Sequence, residues 1–94
     1  MQLLGIFRST NPKKKWDALF LDDGKPFEVS FGARGYEDYT IHGDYGKKMS
    51  YLVRHAHKED WENPTTLGAL SRWILWNKPS MRASIADFKE RFQL

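Results

Sequence analysis

Two rhythms of apolar and polar residues divide this chain. Up to Phe31 the pattern repeats at every second residue, and beyond Asp44 it follows the turn of an α-helix. Leu3 to Phe7 is a short apolar run that predicts a first strand, closed by the turn cluster Ser9-Thr10-Asn11-Pro12. Trp16, Ala18 and Phe20 share one face of a second strand, as Phe27, Val29 and Phe31 do on a third. Asp22-Asp23-Gly24 lies between those two. An Asp-Gly flanked by alternating segments marks a tight hairpin, because Gly tolerates the positive φ the turn needs. Pro26 has no N–H to give to a ladder, which places it near a strand's start or on an edge. Residues 1–31 thus predict a three-stranded antiparallel meander with one buried face.

Residues 32–43 carry Gly32, Gly35, Gly43, Tyr36 and Tyr39 without a period, and predict a connecting loop. Asp44 then has the character of an N-cap. Tyr45, Met49, Leu52, Val53 and Ala56 recur on one helical stripe, the predicted core face of a first helix ending near Lys58. Asn63 followed by Pro64 signals the start of a second helix, with Leu67, Leu70 and Ile74 as its core stripe. Ala69, Trp73, Leu75 and Trp76 make that helix apolar nearly all round, as expected for an element central in the fold or at an interface. Asn77-Lys78-Pro79-Ser80 breaks it and opens a third, whose stripe is Met81, Ile85, Phe88 and Phe92. The fold class is α+β, a small hairpin-based three-stranded antiparallel sheet followed by three amphipathic helices, in a single domain over residues 1–94.

Composition narrows the chemistry. Four Trp among 94 residues argue for a packed domain and against disorder. The absence of Cys removes disulfides, thiol chemistry and Cys-based zinc sites. A formal charge of +3, spread as 8 basic and 7 acidic groups in residues 1–50 and 7 and 5 in residues 51–94, permits attraction to phosphate without requiring it. The start of the chain lacks a signal-peptide pattern and no run approaches a spanning helix. An intracellular or particle-packaged soluble protein is therefore expected.

The face opposite the first helix's core stripe carries Lys47, Tyr51, Arg54, His55 and Lys58. Cations interleaved with aromatics are what a nucleic-acid backbone and its bases require. A solvated helix face explains the same pattern, and Lys13-Lys14-Lys15 reinforces the nucleic-acid reading only if it lies nearby. Trp61, Trp73 and Trp76 are either core or a protein interface, since so small a domain has little room to hide them. Arg34, Arg54 and Arg72 are expected in buried ion pairs, and Arg72, lying among Trp73 and Trp76, is expected either to stack or to pair with Glu59, Asp60 or Glu62. Glu37, Asp38 and His42 supply the residue types of an acid–base site. Adjacent carboxylates do not normally converge, however, and loop anchoring with Asp38 capping backbone amides is the better reading. His55 and His57 are two apart and face different ways, so no metal is expected. No phosphate loop, nucleophile elbow or dinucleotide fingerprint is present, so neither an enzyme nor a cofactor is expected.

One resemblance spans the stretch from Phe31 to Phe92. Its residues are Phe31-Gly32-Ala33, Gly35-Tyr36-Glu37-Asp38-Tyr39-Thr40-Ile41-His42, Arg54-His55, Glu59-Asp60-Trp61, Asn63-Pro64, Gly68 through Pro79, and Ser84-Ile85. In these the chain resembles a family of small proteins, without an assigned activity, encoded by large double-stranded DNA viruses of eukaryotes. The resemblance implies a viral origin and a virion-associated or DNA-associated role, and assigns no catalytic residue. Two functions follow as expectations. One is a non-enzymatic module binding nucleic acid through the basic helix face. The other is a virion structural or assembly protein, a minor capsid or core component, binding itself or another virion protein through the Trp-rich helix.

Overall fold

The computed structural model spans residues 1–94. Strands β1 (Gln2–Arg8), β2 (Lys14–Asp22) and β3 (Lys25–Ala33) form an antiparallel meander in the order β1-β2-β3. The turn between β2 and β3 is the Asp-Gly pair itself. Asp22 pairs with Lys25, and Asp23 and Gly24 both take positive φ, 51° and 76°. That two-residue geometry matches the twist of the flanking strands. Trp16 faces Phe31, Ala18 faces Val29 and Phe20 faces Phe27, so the two alternating faces meet in register. Pro26 lies in the edge strand β3, where its missing N–H costs no interior ladder bond. A bulge between Leu3 and Gly5 shifts the register of β1. It returns Leu3 and Ile6 to the helix-facing side and leaves Leu4 exposed.

Four helical segments follow. Part of the predicted loop 32–43 closes into a turn of helix, α1 (Tyr39–His42), which Asp38 caps by accepting from the Thr40 N–H at 3.0 Å. Gly43, at φ 62°, ends it. Asp44 caps α2 (Tyr45–His55) through the Lys47 N–H, as its position predicts, and the helix stops three residues short of Lys58. The second helix starts later than Asn63-Pro64 suggests. The Asn63 carboxamide accepts from both the N–H and the hydroxyl of Thr65, forming a turn of its own, and Thr66 is the residue that caps α3 (Leu67–Leu70). Its neighbour Leu67 is exposed rather than core.

From Ser71 to Leu75 the helix widens into a π-turn, closed by the Trp76 N–H on the Ser71 carbonyl. The widening has a packing reason. The buried positions are Ala69, Leu70, Ile74 and Leu75, a spacing of five residues that an α-helical turn cannot hold on one face. Gly68 permits close approach of the preceding segment, because a Cβ there would stand 2.9 Å from the Cβ of Glu59. Helix α4 (Met81–Phe92) is capped by Ser80 and presents the predicted stripe Met81, Ile85, Phe88 and Phe92. One face of the sheet and the helices α3 and α4 enclose the core of Leu3, Ala18, Phe20, Phe31, Leu70, Ile74, Leu75 and Phe88. The molecule is thus α+β, a meander under a helical layer. No helix is long and apolar enough to cross a membrane.

Candidate functional site

Helix α2 attaches to this core through one aromatic column. The Tyr51 ring stacks on Trp76 with centroids 4.4 Å apart and planes 5° from parallel, and on its other side lies His55 at 4.2 Å. His42 closes the far end against Trp76 at 5.5 Å. Lys48 fastens the same side of the helix, donating to the Asn77 carbonyl at 2.7 Å. Burial lowers the Lys48 pKa, with Arg72 and Lys78 adding to it, and burial raises the Tyr51 pKa, with Glu59 second.

This attachment turns α2 over relative to the sequence expectation. Tyr51 is buried, so it cannot share a solvated face with the cations. Tyr45, Met49 and Val53, predicted as core, are 63, 41 and 65% exposed, and Ala56 is exposed too. The physical reason is area and shape. A tyrosine stacked flat between an indole and an imidazole buries more surface than a valine or methionine on the same helix can. Of the predicted basic face, Lys47 and Arg54 remain exposed and take part in no ion pair. His55 sits half-buried against Tyr51, 3.4 Å from the Glu59 carboxylate. Lys58 lies in the turn after the helix, its N–H on the His55 carbonyl, and lines no cavity.

The segment 34–42 runs alongside the column and leaves three cavities in a row. The first, about 700 Å³, is lined by Lys47, Arg54, His42 and Trp76 among others. The second, about 450 Å³, shares Arg54 and Trp76 and adds Tyr51 and Tyr36. The third, about 470 Å³, shares Tyr36 and reaches Trp16, Arg8 and Arg34. Each holds at least one cation and one aromatic, and Glu37 borders all three. His42 Nδ1 accepts from the Asp44 N–H at 2.9 Å, so the neutral ring carries its proton on Nε2 as a free donor.

The remaining candidates have structural employment. Lys15 of the lysine run is tied to Asp38 at 2.7 Å with both side chains largely buried, and does not extend the free cation set. Asp38 also takes the Thr40 N–H and hydroxyl, so it anchors the loop as its sequence position suggests. Trp61 and Trp73 are packed within the chain. The Trp73 indole N–H donates to the Trp61 carbonyl at 2.9 Å, and the Trp61 N–H to Glu59 at 3.1 Å. Arg72 stacks on Trp73 at 4.1 Å and Trp61 at 5.4 Å and donates to the Trp76 carbonyl. It forms no ion pair with Glu59, Asp60 or Glu62, and burial depresses its pKa, with Arg91 next. Arg34 is exposed and donates to the Lys14 and Ser9 carbonyls instead of a carboxylate. No three His, Asp or Glu side chains converge where a metal could sit. Arg8, Arg34, Tyr36 and Trp76 were not legible as groove residues, because they come from three distant stretches of chain. The one local signal was the two tyrosines flanking Glu37-Asp38.

Fold and groove together define a small α+β protein with an aromatic- and cation-lined groove where the 34–42 segment meets the helical layer. The chain belongs to DUF5754, a family of unknown function, which matches residues 5–55. That span takes in the strands after the first three residues of β1, then α1 and α2, and ends before the Trp-rich helix. No curated protein and no solved structure matches the chain.

Proposed function

We propose that this protein is a non-enzymatic binding module of viral type that holds a single strand of nucleic acid along the groove beside segment 34–42. The observation that carries the reading is the pairing, in one cavity of about 700 Å³, of two exposed cations free of ion pairs, Lys47 and Arg54, with the Trp76 indole and the His42 ring. Free cations meet phosphates, and aromatic rings in a groove accept unstacked bases. A duplex offers no unstacked base, so the groove chemistry fits a single strand. Glu37 repels phosphate and accepts from amino groups on base edges, which sets the backbone toward Lys47 and Arg54 and an amino-bearing base toward the middle of the groove. The viral attribution rests on the resemblance over Phe31 to Phe92.

Fluorescence anisotropy with labelled single-stranded DNA and RNA of roughly 12 nucleotides tests the reading. Binding at low salt is expected, weakening steeply as salt rises. The double variant Lys47→Glu/Arg54→Glu should lose at least about tenfold in affinity, while Lys58→Glu stays close to wild type. No binding at low salt, or equal losses at Lys58 and at Lys47/Arg54, would falsify it.

A further inference from the structure

The turning-over of α2 leaves an apolar ridge with nothing upon it. Tyr45, Met49 and Val53 stand one turn apart along the helix and are 41–65% exposed. Residues at i, i+4 and i+8 form the ridge that packs into the groove of a crossing helix. From Tyr45 to Val53, a little over two turns, it is about 12 Å long.

Along the flanks of the ridge the charges are of one sign, the capping Asp44 at its N-terminal end being the one carboxylate beside it in sequence. Helix α2 contains Lys47, Lys48 and Arg54 and no carboxylate. On one side Arg54 joins Met49, Ser50 and Val53 around a shallow hollow of about 470 Å³. On the other Lys48 is held to the Asn77 carbonyl, with exposed Lys78 next in sequence. A second copy of this chain would set these cations against themselves. A lipid surface requires a broad face bearing deep-seated side chains, and this ridge is one residue wide, bordered by Gly46 and Ser50. An apolar ridge between positive margins is complementary to an amphipathic helix with acidic margins.

We infer that the ridge Tyr45, Met49 and Val53 is the docking surface for an acidic amphipathic helix of a partner protein, seated across α2 with its carboxylates toward Arg54 on one side and Lys48 and Lys78 on the other. The surface adjoins the nucleic-acid groove, but Tyr45, Met49 and Val53 line none of its cavities. Lys47 and the aromatic column lie on the other flank of α2, and Ser50 and Arg54 border both.

A labelled synthetic peptide of roughly 16 residues tests this, with Leu at successive i, i+4 positions and Glu on both flanks. Controls are a scrambled peptide of the same composition, a peptide with Lys in place of Glu, and phosphatidylserine-containing vesicles. Saturable binding of the acidic peptide alone is expected. The variant Met49→Ser/Val53→Ser should weaken it at least about tenfold while leaving oligonucleotide affinity unchanged. Lys47→Glu should do the reverse, lowering oligonucleotide affinity and sparing most of the peptide's. Because both substituted residues are exposed, circular dichroism should show an intact fold. No peptide binding, equal binding of the scrambled peptide, or insensitivity to Met49→Ser/Val53→Ser overturns the proposal. So does binding of the vesicles in place of the peptide through the same ridge. Each of these results leaves the groove reading standing.

Discussion

Asp38 shows how much one side chain can hold in a chain of this size. It is 2% exposed, bonded to Lys15 across 23 residues of sequence, and accepts from the Thr40 N–H and hydroxyl. It thereby ties the groove's rim to the sheet and starts α1. Replacing it with Ala leaves the Lys15 ammonium without its partner and removes the cap, at an expected cost of about 3 kcal/mol. Thermal unfolding should register this as a fall of roughly 15 °C in Tm. Asp38→Asn keeps an acceptor for Thr40 and should cost less. Equal melting temperatures for wild type and Asp38→Ala would mean that Lys15 simply swings out to water. The capping role was legible in the sequence. The ion pair was not, because nothing local says which lysine of Lys13-Lys14-Lys15 points toward a carboxylate so far along the chain.

At the scale of an element, the informative case is α2. Its cap, its start and its helical period could be read from the sequence, yet its buried face could not. Period alone finds two candidate stripes on this helix, one aliphatic and one cationic–aromatic, and hydrophobicity favours the aliphatic one. Trp76 decides otherwise by presenting a flat ring where Tyr51 can stack. The two faces therefore differ in mutational cost. Tyr51→Ala should destabilise by about 3 kcal/mol, as for a buried aromatic, whereas Val53→Ser should stay within about 0.5 kcal/mol of wild type. Urea unfolding of both variants checks the orientation, and a larger effect at Val53 than at Tyr51 would contradict it. The second helix carries a similar lesson. Its apolar residues all round were visible, but the π-turn that puts Ala69, Leu70, Ile74 and Leu75 on one side depends on the sheet and α4 arriving from two directions.

The whole molecule responds to acid through carboxylates placed by tertiary structure. Asp17, on the sheet face away from the helices, accepts from the Ser30 hydroxyl at 2.6 Å, and its pKa is lowered by Ser30 first and Ser9 second. At Asp87 burial pushes the carboxyl up, but the Asn77 amide and Arg91 outweigh it and the net shift is downward. Both groups bind protons more weakly in the folded protein than in the unfolded chain. Their contribution is therefore fully present above the ordinary carboxyl range, near pH 4, and is lost as pH falls through their depressed folded values. Melting temperature measured against pH should hold level between pH 5 and 7 as far as these groups are concerned, then decline below about 4. Asp17→Asn with Asp87→Asn should flatten that decline, and an unchanged slope in the double variant would remove these two residues from the account.

Local physics was enough for the meander, its Asp-Gly turn, the facing of Trp16, Ala18 and Phe20 with Phe31, Val29 and Phe27, the cap Asp44, and the stripe of α4. In each of these the information sits within a few residues: alternation, a turn that needs positive φ, a carboxylate ahead of a helix. Tertiary structure alone decided which way α2 rolls, that the second helix widens, and that Arg8, Arg34, Lys47, Arg54 and Trp76 border one groove. Those outcomes turn on which ring meets which ring between segments far apart in the chain, and a stacking partner leaves no mark on the sequence around the residue it covers.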